Sequence, residues 1–293
     1  MKAVIHIGLH KTGTTYIQHL ANKNHLKLKN IGIYYEPMPG YPAHHHAAWK
    51  LLRGDTSAIA TMAKHASESK SNTLFISSED LESLIFRPDI TDSLINTIQP
   101  FGVDEVIFVI YIRRQDKLFM SHYSELSKHL YVDPFQMFYD IMRLGYLFID
   151  KPNTAGDSAP FWYFCFDHYQ FITAFQNQLR TYGNTSIKTM VYNFDDFAHY
   201  PGDALFDYLN AEECLESFPD SSERNARLTN KEIVDGFSKQ MKSFTYDMEL
   251  STRKHVNRLI KSRITLTPLA IEAISKRLIT KYGNGNSAVL HNR

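Results

Sequence analysis

Cysteine is almost absent from this chain: Cys165 and Cys214 are the only 2 in 293 residues. They lie far apart and form neither a CxxC pair nor a metal-ligand spacing. That argues against a disulfide framework and for a reducing compartment. An excess of one charge is missing too. Lys and Arg number 32 against 31 Asp and Glu, a formal net charge of +1, so no global field draws the protein to nucleic acid or anionic lipid. Any anion binding has to be local. Long apolar runs are also lacking. Val106 to Ile112 is the longest strongly apolar stretch, far below the roughly 20 residues of a membrane helix, and the run after Met1 is too short for the apolar core of a signal peptide. These absences predict a cytoplasmic protein with no transmembrane segment and no nucleic-acid partner.

What is present is apolar and aromatic. Hydrophobic residues make up 43% of the chain, with 17 Tyr, 19 Phe and 2 Trp, enough for a large core and for rings that stack on adenine or a sugar face. Lys2 to Ile7, a β-branched run ending at Gly8, reads as a buried strand. Gly13-Thr14-Thr15 opens a helix with Tyr16, Ile17 and Leu20 on its apolar side, extended toward Leu26 and Leu28. Thr73 to Ser77, Val106 to Ile112 and Ser186 to Tyr192 read as further strands. Helices are expected from Asp80, over Gln115 to His129 and over Asp203 to Leu209. Strands separated by helices imply a parallel sheet covered on both faces. The Pro-, Gly- and Asn-rich stretch Lys151 to Pro160 reads as a surface loop suited to a substrate lid. From Thr229 onward the pattern is helical, with Pro268 at a helix start and Gly283-Asn284-Gly285-Asn286 as its stop. The second half offers no strand set of its own. The expectation is one α/β domain over residues 1–293: a P-loop-like central parallel sheet flanked by helices, with a helical C-terminal region.

Two motifs carry chemistry. Strand, then Gly8-Leu9-His10-Lys11-Thr12-Gly13-Thr14-Thr15, then helix is the layout of a phosphate-binding loop, where backbone N–H groups and the helix dipole create an anion site. A Walker A loop requires G-x-x-x-x-G-K-[ST]. Here the glycine spacing fits, but Thr14 stands in the lysine position and the lysine lies earlier, as Lys11. The bland alternative is a strand–turn–helix with exposed Lys and Thr, one Thr serving as an ordinary helix cap. The second motif is Tyr111-Ile112-Arg113-Arg114. P-loop kinases hold Mg²⁺ partly through an Asp at a neighbouring strand end. Two arginines occupy that place here, and an arginine fork bonds two oxygens of one phosphate without a metal. Ser121 follows Arg113 by eight residues, about two helical turns.

Taken together, these motifs resemble the PAPS-dependent sulfotransferase family, whose members use 3′-phosphoadenosine 5′-phosphosulfate (PAPS) and release PAP. His10-Lys11-Thr12-Gly13-Thr14-Thr15 is similar to that family's 5′-phosphosulfate loop. Tyr111 to Asp116 through Ser121 is similar to its 3′-phosphate motif. The resemblance implies that Lys11, Thr12, Gly13, Thr14 and Thr15 bind the 5′-phosphosulfate and that Arg113 and Ser121 bind the 3′-phosphate. Arg114 matches no family ligand. The phrase Ile5 to Thr15 with Arg-Arg-Gln-Asp later is similar to bacterial members in particular, and the likeness weakens from about Tyr192. The C-terminal Gly-x-Trp-Lys clamp of cytosolic small-molecule members is missing; Arg224-Asn225-Ala226-Arg227 is the only comparably basic late segment. Tyr192 and Phe194 are the candidates for an adenine-side ring.

Sulfuryl transfer resembles phosphoryl transfer: a loose transition state with charge building on the leaving oxygen, met by positioning and electrostatics. Lys11 is the candidate for stabilising that oxygen. An alcohol acceptor also needs a general base. Glu79 in Ser77-Ser78-Glu79-Asp80 is the first candidate, since sites of parallel sheets lie at strand C-termini; a plain helix-start carboxylate is the competing reading. His44, His45 and His46 are the second. Their side chains point in different directions, without companions at zinc spacing, so no metal is expected. The bacterial resemblance and the many aromatics favour a carbohydrate hydroxyl as acceptor. A P-loop kinase or nucleotide hydrolase, and a non-catalytic nucleotide- or glycan-binding protein, stand as alternatives.

Overall fold

The computed structural model describes residues 1–38, 40–128, 132–151, 158–182, 186–215, 228–229, 231–236 and 249–291. Its strands are β1 (Lys2–His6), β2 (Ile33–Tyr34), β3 (Thr73–Ser77), β4 (Glu105–Ile112), β5 (Tyr146–Asp150), β6 (Phe161–Cys165) and β7 (Ser186–Asn193). Its helices in the first half are α1 (Thr14–Lys23), α2 (His25–Asn30), α3 (His45–Leu52), α4 (Ser57–Glu68), α5 (Pro88–Ile98) and α6 (Gln115–Leu126). Further on come α7 (Pro134–Leu144), α8 (His168–Leu179), α9 (Asp203–Tyr208), α10 (residues 231–236), α11 (Leu250–Ile264) and α12 (Pro268–His291). The protein is α/β, with a central parallel sheet flanked by helices and a helical C-terminal region. No described helix is long and apolar enough to cross a membrane.

The chain divides into two compact units, one of Met1–Arg113, Phe148–Pro219 and Gly285–Arg293, the other of Arg114–Leu147 and Asp220–Asn284. The first holds the sheet, in the order β2-β3-β1-β4-β7, each neighbouring pair parallel. The central strand β1 sets Val4 opposite Phe75 on one side and Ile107 on the other. Both faces are covered. Ala3, Ile5, Phe108 and Ile110 join α3, α4 and α5 in one core, while Val4, Phe75, Ile107 and Val109 meet Ile17, Leu20, Leu205 and Phe206 of α1 and α9 in another. Burial on two faces is why β1, β3 and β4 are continuous apolar runs. Their helices show the complementary spacing: α4 buries Ile59, Met62, Ala63 and Ala66, at i, i+3, i+4 and i+7.

The second unit is helical. Within it Asp133 caps α7 by accepting the Phe135 and Gln136 N–H groups, and Arg263 of α11 pairs with Asp133 at 3.0 Å. The Tyr282 hydroxyl donates to the Ile141 carbonyl at 2.6 Å.

Several expectations need correction. The second half does contribute strands, since β5 and β6 form a two-stranded sheet. The segment from Asp80 is a 3₁₀ turn over Glu79–Ile85 rather than an α-helix, opened by Ser78, whose hydroxyl accepts from the Asp80 N–H. Leu26 is 65% exposed, because α1 stops at Lys23 and the chain re-enters a helix at His25. Helix α6 ends at Leu126, and His129 lies outside the described residues. Gly283-Asn284-Gly285-Asn286 does not stop α12, which runs on to His291. Neither glycine takes a positive φ; a Cβ on Gly285 would lie 2.8 Å from Tyr169 Cβ, so the position permits close packing instead of ending a helix. Most of the loop between Lys151 and Pro160, and Arg224 to Arg227, lie outside the described residues.

Candidate functional site

The central strand β1 runs straight into the loop 8–13, which opens α1. Three of its residues are left-handed: Gly8 at φ 64°, Lys11 at 69° and Gly13 at 77°. At two of them space also demands glycine. A Cβ on Gly8 would stand 2.7 Å from Thr14 Cγ2 and 3.2 Å from Glu79 Cα; one on Gly13 would stand 2.4 Å from the Phe194 ring. Thr12 is fully buried and its hydroxyl donates to the Leu9 carbonyl at 2.5 Å, so it shapes the turn. Gly13, not a threonine, is the helix cap and offers no side-chain bond. The backbone N–H groups of Thr12, Gly13, Thr14 and Thr15 therefore donate to no acceptor among the described residues. Four consecutive unbonded donors at a helix start favour negative charge beside them.

Two cations belong to this loop. Lys11 sits in it, half-buried. Arg113, one residue past β4, turns its Nη1 onto the Lys11 carbonyl at 3.1 Å, lies 5.0 Å from the Phe194 ring centre and 3.8 Å from Asp195 Oδ1. The strand-end arginine and the loop thus meet directly, with Phe194 between Arg113 and Gly13. Of the two candidate adenine-side rings, Phe194 is the one at the loop, whereas Tyr192 stacks on Tyr111 at 5.3 Å. Arg114 forms a two-pronged pair with Asp116, at 2.6 and 2.9 Å. Ser121 lies on α6 of the helical unit; the residues expected to share a phosphate, Arg113 and Ser121, belong to different units.

Beside the loop, the turn after β3 carries a network of carboxylates and rings. Glu79 accepts the Gln18 amide of α1 on Oε2 at 2.6 Å, and its Oε1 accepts no hydrogen bond among the described residues. Asp80 is the hub. Its Oδ2 accepts His45 Nδ1 at 2.8 Å and the Trp49 indole at 2.6 Å, and its Oδ1 accepts the Trp162 indole at 3.1 Å. His10 Nε2 lies 3.6 Å from the same oxygen. Glu82 is 1% exposed; its Oε2 takes both the His10 backbone N–H (2.9 Å) and ring Nδ1 (2.7 Å), while Oε1 takes the Cys165 N–H at 2.5 Å.

No family model, no curated protein and no solved structure matches this chain.

Its chemistry is accordingly read from the arrangement itself. Burial disfavours charge on His10, but the hydrogen bonds and charges of Asp80 and Glu82 outweigh it and push its pKa up to about 10. Burial likewise works against Asp80 as an anion, yet His10 and His45 hold its carboxyl well below the usual carboxylate range. His45 is raised: desolvation opposes its charge, and the bond to Asp80 with the charge of Glu79 overcomes it. A permanently ionised Asp80 with both oxygens engaged is poor at taking a proton. Glu79, with one oxygen held and one open, is suited to it.

The three histidines divide. His44 is fully buried; it takes the Ser77 N–H on Nδ1 at 3.0 Å and gives Nε2–H to the Glu36 carbonyl at 2.9 Å, and burial lowers its pKa to about 4. It is a structural pin. His45 enters the Asp80 network, and His46 packs edge-on against Trp49 at 4.9 Å. Sequence reasoning missed His10, Asp80, Glu82, Trp49 and Trp162 as partners. They come from four separated segments, and only the adjacency of Asp80 to Glu79 offered a signal.

Proposed function

We propose that this chain is a sulfotransferase that moves a sulfuryl group from PAPS to an acceptor hydroxyl, with a carbohydrate as the favoured acceptor. The observation that carries the reading is the run of four N–H groups, Thr12 to Thr15, open at the start of α1 beside Lys11 and Arg113. That is a cradle for a doubly charged group, built from protein charge alone. In this reading the N–H groups and Lys11 hold the 5′-phosphosulfate, and Arg113 with its neighbour Phe194 holds the 3′-phosphate end of the nucleotide. Ser121 belongs to the site on the sequence resemblance alone. PAPS supplies an activated sulfuryl group whose departure leaves charge on a phosphate oxygen, and the Lys11 ammonium is the group to stabilise that charge. Glu79 accepts the acceptor's hydroxyl proton on its open oxygen.

The test is calorimetry with PAP in EDTA, followed by a transfer screen with labelled PAPS against glycans, phenols, lipids and peptides. Metal-independent PAP binding is expected. Transfer to an alcohol should fall by about 10²–10⁴ in Glu79→Gln with PAP affinity kept. A requirement for Mg²⁺ with equal competition by ATP would replace this reading with a kinase or hydrolase. PAP binding without turnover on any acceptor would leave a binding protein.

A further inference from the structure

We propose that Trp49 and Trp162 form the wall against which a sugar ring of the acceptor lies, beside Glu79. This rests on the reading of transfer to an acceptor hydroxyl and names the saccharide subsite of that site. They are the only 2 tryptophans in the chain, far apart in sequence, and both end at one carboxylate. Trp49 of α3 gives its indole N–H to Asp80 Oδ2 at 2.6 Å, and Trp162 of β6 gives its own to Asp80 Oδ1 at 3.1 Å. An indole has a single donor, and a buried donor needs an acceptor. Asp80 is 6% exposed, while both rings stay partly exposed. With each N–H turned inward, what the two rings present to solvent is carbon.

Local structure sets this orientation. Successive side chains of a strand point to opposite faces. On β6, Tyr163 turns to Phe148 and Phe86, at 4.8 and 4.7 Å between ring centres. Trp162 and Phe164 take the other face, where Phe164 meets the His10 ring of the loop edge-on at 4.9 Å. The Lys151 ammonium lies 4.0 Å from the centre of the Trp162 ring and helps to hold it in place. On α3, His45 and Trp49 are one turn apart and stack at 5.7 Å, and His45 Nε2 lies 3.9 Å from Glu79 Oε2. Trp49, His45 and Glu79 are therefore contiguous, and a ring resting against Trp49 has its hydroxyls next to the candidate base. His46 meets Trp49 edge-on at 4.9 Å, and Tyr41, 52% exposed, meets His46 at 5.8 Å, so polar groups stand at the rim.

A sugar is the occupant such a wall suits. A pyranose packs its C–H face on an indole and turns its hydroxyls to polar neighbours. A phenol or a lipid chain is instead taken up by enclosure, in concave pockets that bury most of its surface. A wall whose tryptophans and Tyr41 stay open to solvent does not enclose.

Two tryptophans give two indole N–H signals, assigned by the loss of one each in Trp49→Phe and Trp162→Phe. The full chain, labelled with nitrogen-15, is titrated without nucleotide with cellohexaose, chitohexaose and a chondroitin hexasaccharide. At least one is expected to shift both signals along a single saturating curve. Trp49→Ala and Trp162→Ala should each weaken that binding at least about fivefold. The phenylalanine variants, which shorten the wall and keep a ring, should weaken it about twofold and serve where an alanine variant does not fold, as amide signal dispersion reports. Phe148→Ala, at a 48% exposed ring packed on the opposite face of β6, should leave the affinity unchanged. Hexasaccharides that move neither indole signal, or alanine variants that bind as the parent does, would overturn the proposal. Indole shifts without sulfate transfer would sustain the subsite and remove the transferase reading. Transfer to a phenol with both indoles silent toward every saccharide would keep the transferase and remove the subsite. Where transfer to a saccharide is measurable, the alanine variants should raise its KM with kcat little changed.

Discussion

At the scale of single residues, the loop contains its own contradiction. Lys11 is a non-glycine residue at φ 69°, a conformation that costs an L-residue about 1–2 kcal/mol. Such strain persists where the surroundings enforce it and tends to gather at functional positions. Lys11→Gly should therefore raise folding stability by up to about 1 kcal/mol, since glycine accepts the conformation. The same change should weaken PAP binding by about 1.5–3 kcal/mol, because the ammonium is lost. Thermal unfolding and calorimetry on one sample check both halves; a Lys11→Gly protein that binds PAP normally would remove the lysine from the site. The identities of Lys11 and Thr12 to Thr15 were legible in the sequence because they are contiguous, between a clear strand and a clear helix. The orientation of their groups was not. Nothing in the sequence says that the Thr12 hydroxyl is turned inward to Leu9, or that Gly13 rather than Thr14 is the cap.

At the scale of elements, legibility followed burial. Strands β1, β3, β4 and β7 announce themselves through β-branched runs, and three of them are covered on both faces. Strand β2 is only Ile33–Tyr34, too short for any period to register. Strands β5 and β6 border a breaker-rich loop that masks their pairing. The candidate base on the turn after β3 was visible from its place at a strand end. The Asp80 network was not, because its members lie between His10 and Trp162 in the chain and meet only when the sheet is assembled. Helix α12 shows the same limit in reverse: its two glycines looked like a stop and lie within the helix. Their roles differ, which a pair of substitutions exposes. Gly283 has only Ile279 Cγ2 near a would-be Cβ, at 3.7 Å, so Gly283→Ala should stabilise by about 0.5–1 kcal/mol through helix propensity. Gly285→Ala meets Tyr169 Cβ at 2.8 Å and should destabilise by about 1–3 kcal/mol. Denaturant midpoints of opposite sign are the expected result; shifts of the same sign would refute the packing role of Gly285.

At the scale of the whole molecule, the buried histidines make stability depend on pH with opposite signs. His6, His44 and His168 are held neutral by burial, with pKa values lowered to about 3, about 4 and about 4. Their contribution is fully present above the ordinary value of about 6.5 and is lost as pH falls toward those lowered values. His10 is the reverse. Held as a cation up to about 10, it contributes fully below about 6.5, and that contribution declines as pH rises through 10. Each group adds its own slope to the stability within its own window. With His6, His44 and His168 on the acid side and His10 and the raised His45 on the other, unfolding midpoints should peak near neutrality and fall more steeply toward pH 4.5 than toward pH 9. A midpoint that stays level from pH 6.5 to 4.5 would contradict the burial of uncharged histidines in the core.

Glu82 ties the loop's His10 amide and ring to the Cys165 amide through one sheltered carboxylate. The backbone ahead of the anion cradle is therefore immobilised by the fold and not by whatever enters it. The conformational entropy of ordering that segment is met once, during folding, and not again at each encounter with a ligand. On the proposed reading, a phosphate or sulfate group would meet N–H donors already aligned, and its affinity would reflect electrostatics and dehydration with little deduction for arranging the chain.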